Sequence, residues 1–110
     1  MTTPMLPGSE RVRVVVEKID EMRGSGRVGD SFEVNGTALT LPPGGTFCPE
    51  ALAVVLPIVV MRQSPLPADS WLIRKPWICG ADARENLVMR VEGLDADEQE
   101  STEPGTEVTE

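Results

Sequence analysis

The sequence predicts an α+β domain, a small, mainly antiparallel sheet packed on one central helix. Three observations carry this reading. Valine-rich stretches near both ends alternate apolar and polar residues. One long apolar run follows a proline-led helix start. Ten prolines and ten glycines keep the remaining elements short.

In "RVRVVVEKI" (11–19), Val12, Val14 and Val16 alternate with Arg13, Val15 and Glu17. That is the period-two signature of a strand with one buried face. Residues 1–10, with two prolines and a glycine, read as a loose lead-in to a domain spanning 11–94. "DEMRGSGRVGD" reads as a loop. "SFEVNGTALTL" reads as two strands around an Asn35-Gly36 turn of type I′, in which both residues take positive φ. Phe32 and Val34 then share a face.

"TFCPEALAVVLPIVVM" predicts the helix. Pro49 suits the first helical position, where its missing N–H costs nothing. Glu50 complements the positive end of the helix dipole. Cys48 is then the N-cap, with Thr46 the alternative. Ala51, Leu52, Val54, Val55, Leu56, Ile58, Val59 and Val60 leave no polar face, so the helix is expected to be surrounded by protein. Pro57 is expected to kink it or end it early. The valine-rich second half also admits a strand. After the linker "QSPLPADS", "WLIRKPWIC" (71–79) reads as a strand that Pro76 confines to a sheet edge. "GADAREN" reads as a turn. "LVMRVEGL" (87–94) is the closing strand.

The net charge of −8 is uneven. The stretch 95–110, "DADEQESTEPGTEVTE", holds seven of the eighteen acids and no base, leaving 11 acids and 10 bases in the rest. It is too charged and too poor in apolar residues to bury a core, so disorder is expected there. Its plain role is solubility; a functional version would meet a basic partner surface. With no basic stripe to neutralise phosphates, nucleic-acid binding is not expected. The start lacks the charged and apolar regions of a secretory signal. The longest apolar run, Ala51 to Met61, is too short to span a bilayer. A cytoplasmic location with reduced cysteines and no membrane partner is the resulting expectation.

The chain has no histidine and no tyrosine. It therefore cannot supply a Ser-His-Asp or Cys-His catalytic set. "RVGDSF" lacks the lysine and following helix of a phosphate loop. Cys48, at a helix start, is placed to favour a thiolate and so a nucleophile, a redox thiol or a soft metal ligand. It equally suits a small buried residue. Cys79 could meet it in space, and Asp82 could join the two thiols around a metal, though zinc ordinarily takes four nitrogen or sulfur ligands. Apart from that possible metal, no cofactor is expected. Trp71 and Trp77, six apart on the expected strand, project to one face with Ile73 between them and Arg74 alongside. This stripe is either core or a docking surface, since tryptophan and arginine are enriched at interface hot spots.

Taken together, "VRVVVEKI", "VGDSF", "CPEAL", Pro57 and Cys79 ahead of "NLVMRVE" resemble a small bacterial family of short cysteine-containing proteins with G-D-x-F and C-P-x-A-L motifs and no settled function. The resemblance covers about residues 11–93. The family usually carries a further cysteine in the first loop, often followed by glycine and histidine, and C-P-D at the second site. Here those places read "MRGSGRVGD" and "CGAD". If the family's cysteines form a metal or redox site, this chain lacks part of it. The expectation is thus a non-catalytic small subunit that docks on a larger enzyme, or on itself as an oligomer, through Trp71, Ile73, Arg74 and Trp77. The alternative is a thiol-redox or metal protein using Cys48, Cys79 and Asp82. A small-molecule binding module has no specific residue in its support.

Overall fold

The computed structural model of the protein describes residues 4–95. The expected disordered acidic tail lies outside the described residues except for Asp95. The fold is α+β: two antiparallel sheets, of five and two strands, and one main helix. The strands are β1 (Met5–Leu6), β2 (Arg11–Lys18), β3 (Ser31–Asn35), β4 (Ala38–Thr40), β5 (Leu66–Pro67), β6 (Trp77–Cys79) and β7 (Val88–Gly93). The helices are α1 (Pro49–Gln63) and the short α2 (Trp71–Arg74). The larger sheet runs β4-β3-β2-β7-β6, with β2 at its centre; β1 and β5 form the smaller one.

The register explains the core. Val12 pairs with Val34, and Val14 pairs with both Phe32 and Val91; Val16 faces Met89. Paired residues share a face, and all of these side chains are buried. Ala51, Val55 and Val59 of α1 close over them, with Leu72 and Leu87 filling in. Each fully buried aliphatic contributes roughly 1.5–3 kcal/mol relative to exposure. Phe47, just ahead of α1, meets the Phe32 ring edge-on, with centroids 4.8 Å apart.

Five expectations need correction. The lead-in is not loose throughout. Met5–Leu6 pairs with Leu66–Pro67, and Ser9 is fully buried, its N–H donating to the Arg62 carbonyl. The turn after β3 is shifted by one residue. Asn35 pairs with Ala38, so the two-residue loop is Gly36-Thr37, and of these only Gly36 has positive φ, at 63°. Glycine first in the loop is the type II′ arrangement rather than I′. Pro57 neither ends α1 nor turns its second half into a strand; the helix continues to Gln63. Position 57 points outward, so the ring occupies open space and the lost N–H leaves one carbonyl to solvent.

The stretch 71–79 is not one strand. Ser70 caps a helical turn, accepting the Leu72 N–H through its hydroxyl, and the strand begins only after Pro76. β6 is an edge strand, as Pro76 implied.

The fifth correction is the largest. α1 is not gripped on all sides. Its buried residues, Ala51, Val55, Val59 and Arg62, fall on one stripe, at spacings of four, four and three. The opposite side is open to solvent and is still apolar. A helix with no polar face has one side in a core and the other in water.

Candidate functional site

The expected docking stripe is divided between two elements. Trp71 lies on α2 and is 50% exposed; Trp77 lies on β6 and is 45% exposed. Arg74 is exposed and Ile73 half-buried. Trp71 and Arg74, with Asp69 and Lys75, line a shallow hollow of about 220 Å³. Trp77 belongs instead to the uncovered face of the large sheet. It pairs with Arg90, which pairs in turn with Val15. A register shift between Val16 and Lys18 leaves Glu17 out of the ladder. Such a bulge re-aims its side chain. The Glu17 carboxylate accepts from Trp77 Nε1 at 2.9 Å and from Arg90 Nε at 2.6 Å. The Arg90 guanidinium stands 5.6 Å from the Trp77 ring centroid, within cation–π range. Beside this cluster Arg13 donates to Glu92 at 3.1 Å. Opposite charges thus neutralise one another across this face, and Trp77 already has its polar partner.

Cys48 is the N-cap of α1, as its place before Pro49 implied, but its side chain makes no capping hydrogen bond. It is half-buried and packs on the core beside Gly26. Cys79 ends β6 and is exposed; both thiols are free. Asp82 is committed elsewhere. One carboxylate oxygen accepts from Arg23 Nε at 2.6 Å, the other from the backbone N–H groups of Arg84 and Glu85. The Arg23 hydrogen bond is the main reason its carboxyl is held below the ordinary carboxylate range. This clasp ties the 20–30 loop to the 82–86 turn, where Asn86 also donates to Asp20. Among the described residues, no three His, Cys, Asp or Glu side chains cluster as a metal site would require.

The surface that sequence reasoning missed is the outer side of α1. Ala53, Pro57, Val60 and Met61 are exposed there, Val60 by 60%. Leu52, Val54, Leu56 and Ile58 flank them half-buried. No charged residue stands between Glu50 and Arg62, and Arg62 points inward. Towards the helix start, Glu50, Ala53 and Val54 form one wall of an open hollow of about 440 Å³, closed on the other side by Ala81 and Asp82. The signal was present in the sequence as the missing polar face. Composition alone does not tell burial inside the chain from exposure of an apolar face.

No described helix is long and apolar enough to cross a membrane. No protein-family model, curated protein or solved structure matches the chain.

Proposed function

We propose that the protein is a non-catalytic accessory subunit whose docking element is the outer side of α1, and that a second copy of the chain covers it. The observation that carries this reading is the run of exposed apolar side chains from Ala53 to Met61 on a helix whose inner stripe already fills the core. Burial of apolar surface is the dominant favourable term in association, and a contiguous apolar patch on an otherwise charged surface marks an interaction site. A two-fold axis across α1 sets the same residues of each copy against one another, which small residues such as Ala53 and Pro57 permit at close range. The helix would then be enclosed on all sides, as its composition demands, with a sheet on the far side of each copy. A 15-residue helix is about 22 Å long, so its face alone falls short of the roughly 800 Å² per partner of a standard interface. The contact therefore takes in the flanking Leu52, Leu56 and Ile58 and is a reversible one.

Sedimentation equilibrium of the full chain tests this. The expected result is a dimer with a dissociation constant in the micromolar range, converted to monomer by Val60→Asp without loss of the far-ultraviolet circular dichroism signal. A monomer at several hundred micromolar, or a dimer indifferent to Val60→Asp, overturns it.

A further inference from the structure

The outer side of α1 differs at its two ends. Near the helix start, Glu50, Ala53 and Val54 wall the open hollow of about 440 Å³ whose far side is Ala81 and Asp82. Near the helix end, the bulkier Val60 and Met61 project, 60% and 38% exposed. Pro57, also exposed, lies midway, four residues after Ala53 and four before Met61.

The hollow suits an apolar occupant. Ala53, Val54 and Ala81 supply most of its lining. Asp82 at its rim is already satisfied within the chain, by Arg23 and by the backbone N–H groups of Arg84 and Glu85. At 3.6 residues per turn, positions seven or eleven apart fall within about 20° of one another round a helix. Glu50, Val54 and Met61 therefore share one flank of the outer side, the flank from which the hollow opens. Val60, about 100° round from Met61, lies on the other.

We infer, on the reading that a second copy covers α1, that each hollow is the seat of Met61 from the other copy, with the two helices antiparallel about a two-fold axis at Pro57. An axis perpendicular to the helix exchanges its start with its end and keeps each flank with itself. It therefore carries Met61 along its own flank to the level of Ala53 and Val54, beside the hollow. Methionine is unbranched and polarizable and fills irregular gaps. A parallel pairing has no such match. It sets Met61 on Met61 and one Glu50 carboxylate against the other, aligns the two helix dipoles, and leaves both hollows unfilled. The area of contact points the same way. The face of α1 alone falls short of the roughly 800 Å² per partner of a standard interface, and the hollow extends the contact onto Ala81 and Asp82. The hollow is thus half of a site that the second copy completes, and Met61 is the residue that selects the partner.

The test mixes two full-length chains, one carrying Met61→Cys and the other Ala81→Cys, each in the Cys48→Ser, Cys79→Ser background, and oxidises them with diamide. A disulfide between the two chains can then form only between copies, and it needs Cα atoms within about 7 Å. The expected result is a mixed disulfide in excess of either self-disulfide, abolished by adding Val60→Asp to both chains. Ala81→Trp, which fills the hollow without touching α1, should raise the dissociation constant of the dimer at least about tenfold. A dimer that Val60→Asp dissociates, but in which Met61→Cys couples to itself or no mixed disulfide forms, overturns this inference and leaves the proposed function standing. A chain that sediments as a monomer overturns both.

Discussion

Asp82 holds the most heavily used side chain in the clasp between the 20–30 loop and the 82–86 turn. Because Arg23 holds its folded pKa below the unfolded value, near 3.9 for aspartate, its contribution is present above that value. The contribution is lost as pH falls through the folded value. Asp20, lowered chiefly by the Asn86 hydrogen bond, acts in the same direction. Asp82→Asn should therefore flatten the acid limb of a melting-temperature profile below about pH 4. An unaltered acid limb would mean that the clasp contributes nothing. Asp20 is exposed and Asp82 half-buried, and both are reached by solvent, so added salt should weaken the effect. The thiols divide by burial. Cys79 is exposed, whereas Cys48 rests against the core with no N–H or base at its sulfur that the structure records. A thiol reagent at pH 8 should label Cys79 at least about tenfold faster than Cys48, since reactivity follows access as well as thiolate fraction. Faster labelling of Cys48 would restore the reading of it as an activated helix-start thiol. What the sequence disclosed about Cys48 was its position, which Pro49 determines. It packs beside Gly26, more than twenty residues away, and no local pattern reports that.

Among the elements, β2 and β7 were legible because each has one wet and one dry face, and alternation shows such a strand directly. The start of α1 was legible because Pro49 and Glu50 mark it chemically. The turn after β3 was placed one residue early because Asn-Gly fits a I′ loop and Gly-Thr a II′ loop equally well; the pairing of Val34 with Leu39 decides between them. α2 was missed because four residues show no helical period, and only Ser70 ahead of Trp71 signals a cap. The tryptophans were grouped on one strand for the same reason. Pro57 makes a testable case of a local rule overridden by its surroundings. It sits outward in mid-helix, where proline removes a hydrogen bond and costs up to about 3 kcal/mol relative to alanine. Pro57→Ala should raise stability by about 1–3 kcal/mol in denaturant unfolding. A loss of stability would show that the proline ring is needed where it stands in α1.

At the level of the complete fold, one sheet face is covered by α1 and the other is neutralised by its own ion pairs among Arg13, Glu17, Arg90 and Glu92. Among the described residues, the outer side of α1 is an apolar surface turned away from both sheet faces. The sequence announced a helix that must be enclosed but could not say by what, because composition records the demand for burial and not its source. The proposed function has a second copy of the chain answer that demand. A spin label attached to Ala53→Cys, in a chain carrying Cys48→Ser and Cys79→Ser, can be mixed with unlabelled-cysteine, ¹⁵N-enriched protein so that only contacts between copies broaden amide signals. The account predicts broadening along residues 50–61 and none on β4 or the open sheet face. Uniform signals throughout, or broadening centred on Trp71 and Trp77, would contradict it.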